Sequence, residues 1–329
     1  MGASEQGSGE DRLIARFFKP LATHPGALGL TDDAALLKPP PGCDLVLTTD
    51  AIMAGVHFFP DDPPGQLSRK ALRVNLSDLA AKGATPLGFL LSLALPAEVS
   101  DSWLASFAAG LKADADAYGC ALFGGDTDRT PGPLTISIAM LGTVPKDTMV
   151  RRAGAKPGDR IMVTGTIGDA ALGVRLRRGA AWKVPLDARE YLLSRYLLPQ
   201  PRTALTDAVR ANASAAMDIS DGLAGDLAKL CRVSGLGATV EVVKVPLSNA
   251  AKTTLAAEPS LAETVLTGGD DYEILCTVPP EKTSAFVTAC ETANVAVAEI
   301  GVASEGEGVQ FLGADRKPMQ FSHLAYSHF

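Results

Sequence analysis

Long apolar runs, paired cysteines and an excess of basic charge are all missing from this 329-residue sequence, and each absence removes a class of function. The longest apolar stretch, Leu87 to Ala97, contains Pro96 and falls well short of the roughly 20 residues a membrane-spanning helix needs. A soluble, cytoplasmic protein is expected. Five cysteines, Cys43, Cys120, Cys231, Cys276 and Cys290, are odd in number, widely spaced and never in a C-x-x-C pair, as suits reduced core residues rather than disulfides. Thirty basic residues against 37 acidic give a net charge of −7, which argues against nucleic acid or an anionic membrane as partner. His24, His57, His323 and His328 are scattered, and no Cys/His spacing suits zinc. No G-x-x-x-x-G-K-[ST], no H-R-D loop and no G-x-G-x-x-G after a strand occurs, so the common nucleotide folds are not signalled. Met1 to Gly9, polar and Gly/Ser-rich, reads as a disordered tail with no export or myristoylation pattern.

What is present is aspartate. The acids are 24 Asp against 13 Glu, and short carboxylates at turns and element ends are typical ligands of hard cations. The densest case is Asp218-Ile219-Ser220-Asp221-Gly222-Leu223, where Ala215-Ala216-Met217 reads as a buried strand end and Leu223, Leu227 and Leu230 recur at helical spacing. Ser220 or Asp221 would start the helix, where unpaired N–H groups and the positive dipole end favour an anion; a plain N-cap is the competing reading. Further carboxylates recur in the first half. Asp32-Asp33 precede Ala34 to Leu37, Asp50 ends the apolar run from Leu45, and Asp78 shares a helix face with Asn75. Asp126 follows Ala121 to Phe123 and the flexible pair Gly124-Gly125. Taken singly each is explained by a cap, a turn or a solvated face. Together they point to a carboxylate-lined cleft, which needs cations: like charges 4 Å apart repel by about 4 kcal/mol at an effective dielectric of 20. Magnesium suits such a site, because it accepts a few carboxylates and completes its shell with water and substrate phosphates.

The organisation breaks near residues 145 to 158. Before it, helices are expected at Asp11 to Phe18, Leu67 to Lys82 and Asp101 to Tyr118, and strands at Asp44 to Thr49, Gly88 to Leu95, Cys120 to Phe123 and Leu134 to Val144, an α+β pattern. After it, strands at Arg160 to Thr164, Thr239 to Val245, Tyr272 to Val278 and Val295 to Gly301 alternate with helices at Asp169 to Arg178, Asp187 to Leu197 and Arg202 to Ala211. This half reads as α/β.

The ordered set Thr31-Asp32-Asp33-Ala34-Ala35, Thr48-Thr49-Asp50 with His57-Phe58, Val74 to Ala81, Gly124-Gly125-Asp126-Thr127, Gly154 to Asp159, Met217 to Leu223 and Gly268 to Glu273 resembles the thiamine-monophosphate kinase family. The match spans roughly residues 10 to 329. That family lies in the aminoimidazole ribonucleotide synthetase-like superfamily. The resemblance implies an N-terminal α+β domain, 10–148, that binds ATP and magnesium and dimerises through its sheet, a C-terminal α/β domain, 149–329, and ATP in the cleft between them. It further implies transfer of the γ-phosphoryl group of ATP onto thiamine monophosphate. By the same resemblance Asp33, Thr48, Thr49, Asp50, Asp78, Asp126, Asp218 and Asp221 would hold several magnesium ions, and Gly125, Arg152 and Ser220 would contact ATP. His57, Asp270 and Tyr326 would lie toward the thiamine phosphate. The sequence departs from the family at Thr31 (usually Gly), Asp270 (usually Glu) and Lys82 (commonly Met). A superfamily relative such as a selenophosphate synthetase would want a reactive Cys followed by Lys near the N-terminus, and here Cys43 precedes Asp44.

Overall fold

The computed structural model describes residues 9–325. They divide into two compact units, one running to Leu76 and resuming over Thr85–Lys146, the other made of Ser77–Ala84 and the chain from Asp147 onward. The expected tail lies outside the described residues except for Gly9, which opens helix α1 (Gly9–Leu13), continued by one π-helical turn over Ile14–Phe18.

The first unit is a four-stranded sheet. Strands β1 (Cys43–Met53), β2 (Thr85–Leu95), β3 (Ala121–Arg129) and β4 (Thr135–Pro145) lie in the order β1-β4-β2-β3, antiparallel except for the β2–β3 contact. Period-two alternation sorts their side chains. Val46, Ile52, Phe89, Leu91, Leu93, Ile136, Ile138 and Met140 are buried, whereas Leu45, Leu47, Met53 and Leu90 stay exposed on the opposite face, with Leu47 at 70%. Helix α2 (Pro64–Ala81) starts on a proline, whose fixed φ suits the first helical position, and stops before Gly83 at φ 69°. Helix α3 (Asp101–Tyr118) is capped by Ser100, whose hydroxyl accepts the Trp103 N–H, and closes at Gly119 in the left-handed region. The two helices are tied by Asp114, only 1% exposed, which accepts from Arg73 Nε and Nη2 and from Arg69 Nε.

Strand β3 corrects the sequence reading. Gly124-Gly125-Asp126 is not a flexible turn after a short strand but the strand's middle, with Asp126 opposite Ser92. A Cβ on Gly125 would fall 1.8 Å from the Leu91 carbonyl oxygen, so glycine is there for close strand approach.

The second unit is a six-stranded sheet of β5 (Arg160–Thr164), β6 (Ala215–Asp218), β7 (Gly237–Glu241), β8 (Ile274–Val278), β9 (Val297–Ser304) and β10 (Gly308–Leu312), in the order β10-β7-β9-β5-β8-β6. Only β10–β7 is parallel. Alternate residues feed two cores. Ile161, Val163, Ala215, Met217 and Leu275 pack with Leu223, Leu227 and Leu230. Met162, Ala216, Ile274, Cys276 and Val278 pack with Val209, Phe286 and Cys290. Ala80 and Ala81 belong to that second cluster, which explains why the end of α2 groups with this unit. Helices α4 (Asp169–Arg177), α5 (Leu186–Leu197), α6 (Thr206–Asn212) and α7 (Leu223–Ser234) agree with expectation to within a few residues at their ends, α6 being preceded by a 3-10 turn at Thr203–Leu205. Helices α8 (Asn249–Ala257), α9 (Ala262–Thr267) and α10 (Thr283–Thr292), and strand β10, were not foreseen.

Candidate active site

In the first unit, Asp32, Asp33, Ser92, Gly124, Gly125, Asp126 and Thr127 line one pocket of about 600 Å3, whose apolar side includes Phe18 and Phe123. The approach to Asp32-Asp33 is bent by three successive left-handed residues, Leu28, Gly29 and Leu30. Thr31 itself sits at φ −117° and donates its hydroxyl to the Leu28 carbonyl, so the position does not require the glycine usual in the family.

Strand β1 divides the Thr48-Thr49-Asp50 triplet. Thr48 and Asp50 pair with Met140 and Ile138, on the buried face, while Thr49 pairs with Ala139 on the other face and donates its hydroxyl to the Ile138 carbonyl. The Asp50 N–H donates to Asn75 Oδ1 at 3.0 Å, and Asn75 in turn donates to Ala71 O within α2. β1, which runs on past Asp50 to Met53 rather than ending at Thr49, is thereby fixed at Asp50 to α2. His57 lies in the turn after β1; its Nδ1 accepts the Met53 N–H, which leaves the proton of the neutral ring on Nε2.

In the second unit four charged groups meet. Lys82 donates Nζ to the Ala216 carbonyl at 2.6 Å, and Asp78, Asp218 and Arg152 lie within electrostatic reach of its ammonium. Burial, and then Arg152, push the Lys82 pKa down, against the pull of Asp218 and Asp78. Asp218 is 6% exposed, the buried last residue of β6.

Two motif loops are bolted together beside it. Asp270 N–H donates to Ser220 O, Tyr272 N–H to Ile219 O, and Ile219 N–H to Glu273 O, all at 2.8 to 2.9 Å. Their closeness demands glycine at two places: a Cβ on Gly269 would lie 2.2 Å from the Ser220 oxygen, and one on Gly222, at φ 117°, 2.5 Å from the Thr267 oxygen. Asp270 and Tyr272 are held at φ 74° and 52°, conformations rare for non-glycine residues and costing on the order of 1–3 kcal/mol each.

The helix after Asp218 begins later than expected. Leu223 is its first residue and Gly222 its N-cap, so neither Ser220 nor Asp221 caps it. Their N–H groups both donate to Asp226 Oδ2, at 3.0 and 2.9 Å. Asp226 is fully buried and pairs through Oδ1 with Lys229 Nζ at 2.8 Å, and Lys229 reaches Asp221 Oδ2 as well. Partial burial works against the Lys229 charge, yet its bonds to Asp221 and Asp226 hold the ammonium above its ordinary pKa.

Beneath the loops lies a second layer. Glu273, fully buried, accepts from Arg195 Nη2, Arg202 Nε and Nη2, and the Thr164 hydroxyl. Asp271, also buried, accepts the Gly168 N–H at 2.7 Å and so caps α4 from outside the helix. Asp169 accepts hydroxyls from Thr166, Tyr191 and Ser248. Burial pushes both Asp169 and Asp271 up, Asp271 strongly. The sequence reading assigned no role to Asp226, Lys229, Arg195 or Arg202. An acid a few residues into a helix that follows a doubled acid was a usable signal for Asp226; the arginines carry none, being far away in sequence.

Of the other expected site residues, Arg152 is exposed on the loop before β5, and Tyr326 lies outside the described residues. No three carboxylate, imidazole or thiol groups among the described residues come close enough to hold a metal ion by themselves.

Comparison with known proteins turns this geometry into a family. The family model for AIR synthase related protein, N-terminal domain, matches residues 31–144, and that for the C-terminal domain matches 156–313. The thiamine-monophosphate kinase of Caulobacter vibrioides is 44% identical over 317 residues, covering 94% of this chain and 89% of the relative. This chain belongs to the thiamine-monophosphate kinase family. It is therefore an enzyme, a phosphotransferase, with the two-domain AIR synthase-like fold. The Salmonella typhimurium thiamine-monophosphate kinase is 40% identical over 98% of both chains. Among solved structures, the Stenotrophomonas maltophilia thiamine-monophosphate kinase superposes with a TM-score of 0.83 at 37% identity, over 96% of this chain and 98% of the other. AaThiL complexed with AMPPCP and TMP gives 0.77 at 31% identity, over 97% and 94%.

Proposed function

We propose that this chain transfers the γ-phosphoryl group of ATP directly to the phosphate of thiamine monophosphate, giving thiamine diphosphate and ADP. One observation carries the reading: the Asp218–Gly222 turn is bolted to the Gly268–Glu273 loop, beside the cluster of Asp78, Lys82, Arg152 and Asp218. The turn that would contact the nucleotide and the loop that would contact the substrate are thus joined by backbone hydrogen bonds. The relatives supply the identity of the two substrates.

The chemistry asks little of acid–base groups. A phosphate monoester loses its second proton near pH 6, so the acceptor is already a nucleophile at neutral pH. What remains is to bring two anions into line and offset their charge. Arg152 and Ser220 would hold ATP with the Gly125 backbone. His57, through its Nε2 proton, and Asp270 would orient the thiamine phosphate, with Tyr326 completing that side.

The donor set fits magnesium rather than a softer metal, being carboxylate and hydroxyl oxygen throughout. It also fits an ion that arrives with the nucleotide, because magnesium takes one or two carboxylates and fills its octahedron from phosphate and water. Asp33, Thr48, Asp50, Asp78, Asp126, Asp218 and Asp221 would hold such ions, which supply positive charge to the transferring phosphoryl oxygens, whereas the Thr49 side chain stands on the other face of β1 and is left out of the set. The exposed apolar face of the first unit's sheet, with Leu45, Leu47, Met53 and Leu90, supports a homodimer formed through that sheet. Five free cysteines, four of them buried, suit a reducing cytoplasm.

Asp50→Asn tests the reading, since it replaces a carboxylate by a neutral isostere while keeping the backbone bond to Asn75. Thiamine diphosphate formation is expected to fall by on the order of a hundredfold or more at unchanged melting temperature. Conversion of ATP to ADP and free phosphate by the wild type, with thiamine monophosphate present and no thiamine diphosphate formed, would overturn it.

A further inference from the structure

The Ser220–Asp221 turn is not shaped by its helix. Gly222 N-caps α7 without a side chain, and the N–H groups of Ser220 and Asp221 are both taken by the buried carboxylate of Asp226. Those amides are therefore not donors for a phosphate. What the turn leaves for a ligand is side chains, those of Ser220 and Asp221, both partly exposed. The Asp221 carboxylate is already engaged, because Lys229 Nζ bridges Asp221 Oδ2 and Asp226 Oδ1. The Asp226 end of the bridge is wholly buried, while the Asp221 side chain is 37% and that of Lys229 29% exposed. One end is anchored and the other can let go.

We propose that Asp226 and Lys229 are positioning residues for the nucleotide-facing turn, with Lys229 the resident cation on Asp221 that an incoming metal–nucleotide complex displaces. The buried Asp226 keeps the displaced ammonium within reach, so Lys229 returns to Asp221 when the ligand leaves. The carboxylate is thus never left bare, and the turn holds its shape in the empty protein. This inference rests on the proposed reading that the turn faces ATP, and its two halves are tested separately.

The positioning half is read without any ligand. Amide hydrogen exchange at Ser220 and Asp221 should quicken roughly 10- to 100-fold in Asp226→Asn, the loss expected for bonds to a charged acceptor, with distant core amides of β5 and β8 unchanged. Unchanged exchange at Ser220 and Asp221 refutes positioning. If Asp226→Asn does not fold, the wild type is read instead: exchange at Ser220 and Asp221 as fast as at unbonded amides refutes positioning, and slowed exchange there supports it.

The displacement half is read by calorimetry of magnesium with AMPPCP. Lys229→Met removes the competitor and is expected to bind about fivefold tighter, the scale of a partly exposed ion pair, whereas Lys229→Arg should match the wild type. Equal or weaker binding by Lys229→Met overturns the resident-cation role. Absence of binding by the wild type would instead sink the kinase reading, leaving the exchange result to stand alone.

Discussion

Replacing Glu273 by alanine should unfold the second unit's interior far more than a single side chain's size suggests. Its carboxylate is fully buried and receives three bonds from two guanidinium groups, Arg195 at 5% and Arg202 at 17% side-chain exposure, plus the Thr164 hydroxyl. Removing it takes away the carboxylate that neutralises two largely buried cations, and Arg195 Nε already lacks a hydrogen-bond partner. Breaking a buried pair in this way costs about 3–5 kcal/mol, because the surviving charge cannot regain its hydration. For a folding unit of this size, about 2–4 °C of melting temperature accompanies each kcal/mol, so a fall of roughly 6–20 °C is expected. Glu273→Gln, which keeps the volume and one acceptor oxygen, should lose less than the alanine variant. The assay is thermal unfolding followed by circular dichroism, with urea unfolding as a check on the free energy. Ligand binding should suffer too, since the Glu273 carbonyl accepts the Ile219 N–H that joins the two motif loops. A shift below about 2 °C for Glu273→Ala would refute the argument that the carboxylate neutralises both arginines.

The remaining predictions concern the other parts of the fold. Asp114→Ala removes the shared acceptor of Arg69 and Arg73 between α2 and α3 and should destabilise the first unit by about 3–5 kcal/mol, measurable by urea unfolding. Asp271 has its pKa raised by burial, so its ionised form costs stability at every pH above the folded value; as pH falls through that value the native carboxyl takes up a proton and the penalty is relieved. Any stability gained by Asp271→Asn over the wild type in urea titrations should therefore shrink from pH 8 toward pH 5, and a gap that widens would contradict the assignment. Leu47→Asp places a charge on the exposed sheet face without touching the core, and light scattering should report a lower mass than for the wild type at equal concentration if that face forms the dimer.

Much of the architecture was legible because it rests on periodicity. The alternation in β2 and β4 and the 3.6-residue spacing in α3 are local patterns, and those elements fall within a few residues of where the patterns place them, whereas β1 runs on past its expected end at Thr49, through Asp50 to Met53. The failures share a cause. Gly124-Gly125 reads as a break in any local window, and only the approach of Leu91 on the neighbouring strand makes it the middle of β3. The helices at 249–257, 262–267 and 283–292 are short and rich in alanine and threonine, so their apolar faces are too faint to recognise before a partner is known.

The site divides in the same way. Residue type and order alone pointed toward an oxygen-donor chemistry: recurrent aspartates, no Cys/His spacing for zinc and no common nucleotide loop. What a linear chain cannot express is which groups share surroundings. Tertiary structure decided that Lys82 stands with Asp78, Asp218 and Arg152, that Glu273 neutralises Arg195 and Arg202, and that Asp226, not the helix end, holds Ser220 and Asp221. The physical reason is range. Helix and strand preferences act over a few residues, whereas desolvation and charge pairing depend on which neighbours the fold brings in, whether six residues away, as for Ser220 and Asp226, or 134, as for Lys82 and Ala216.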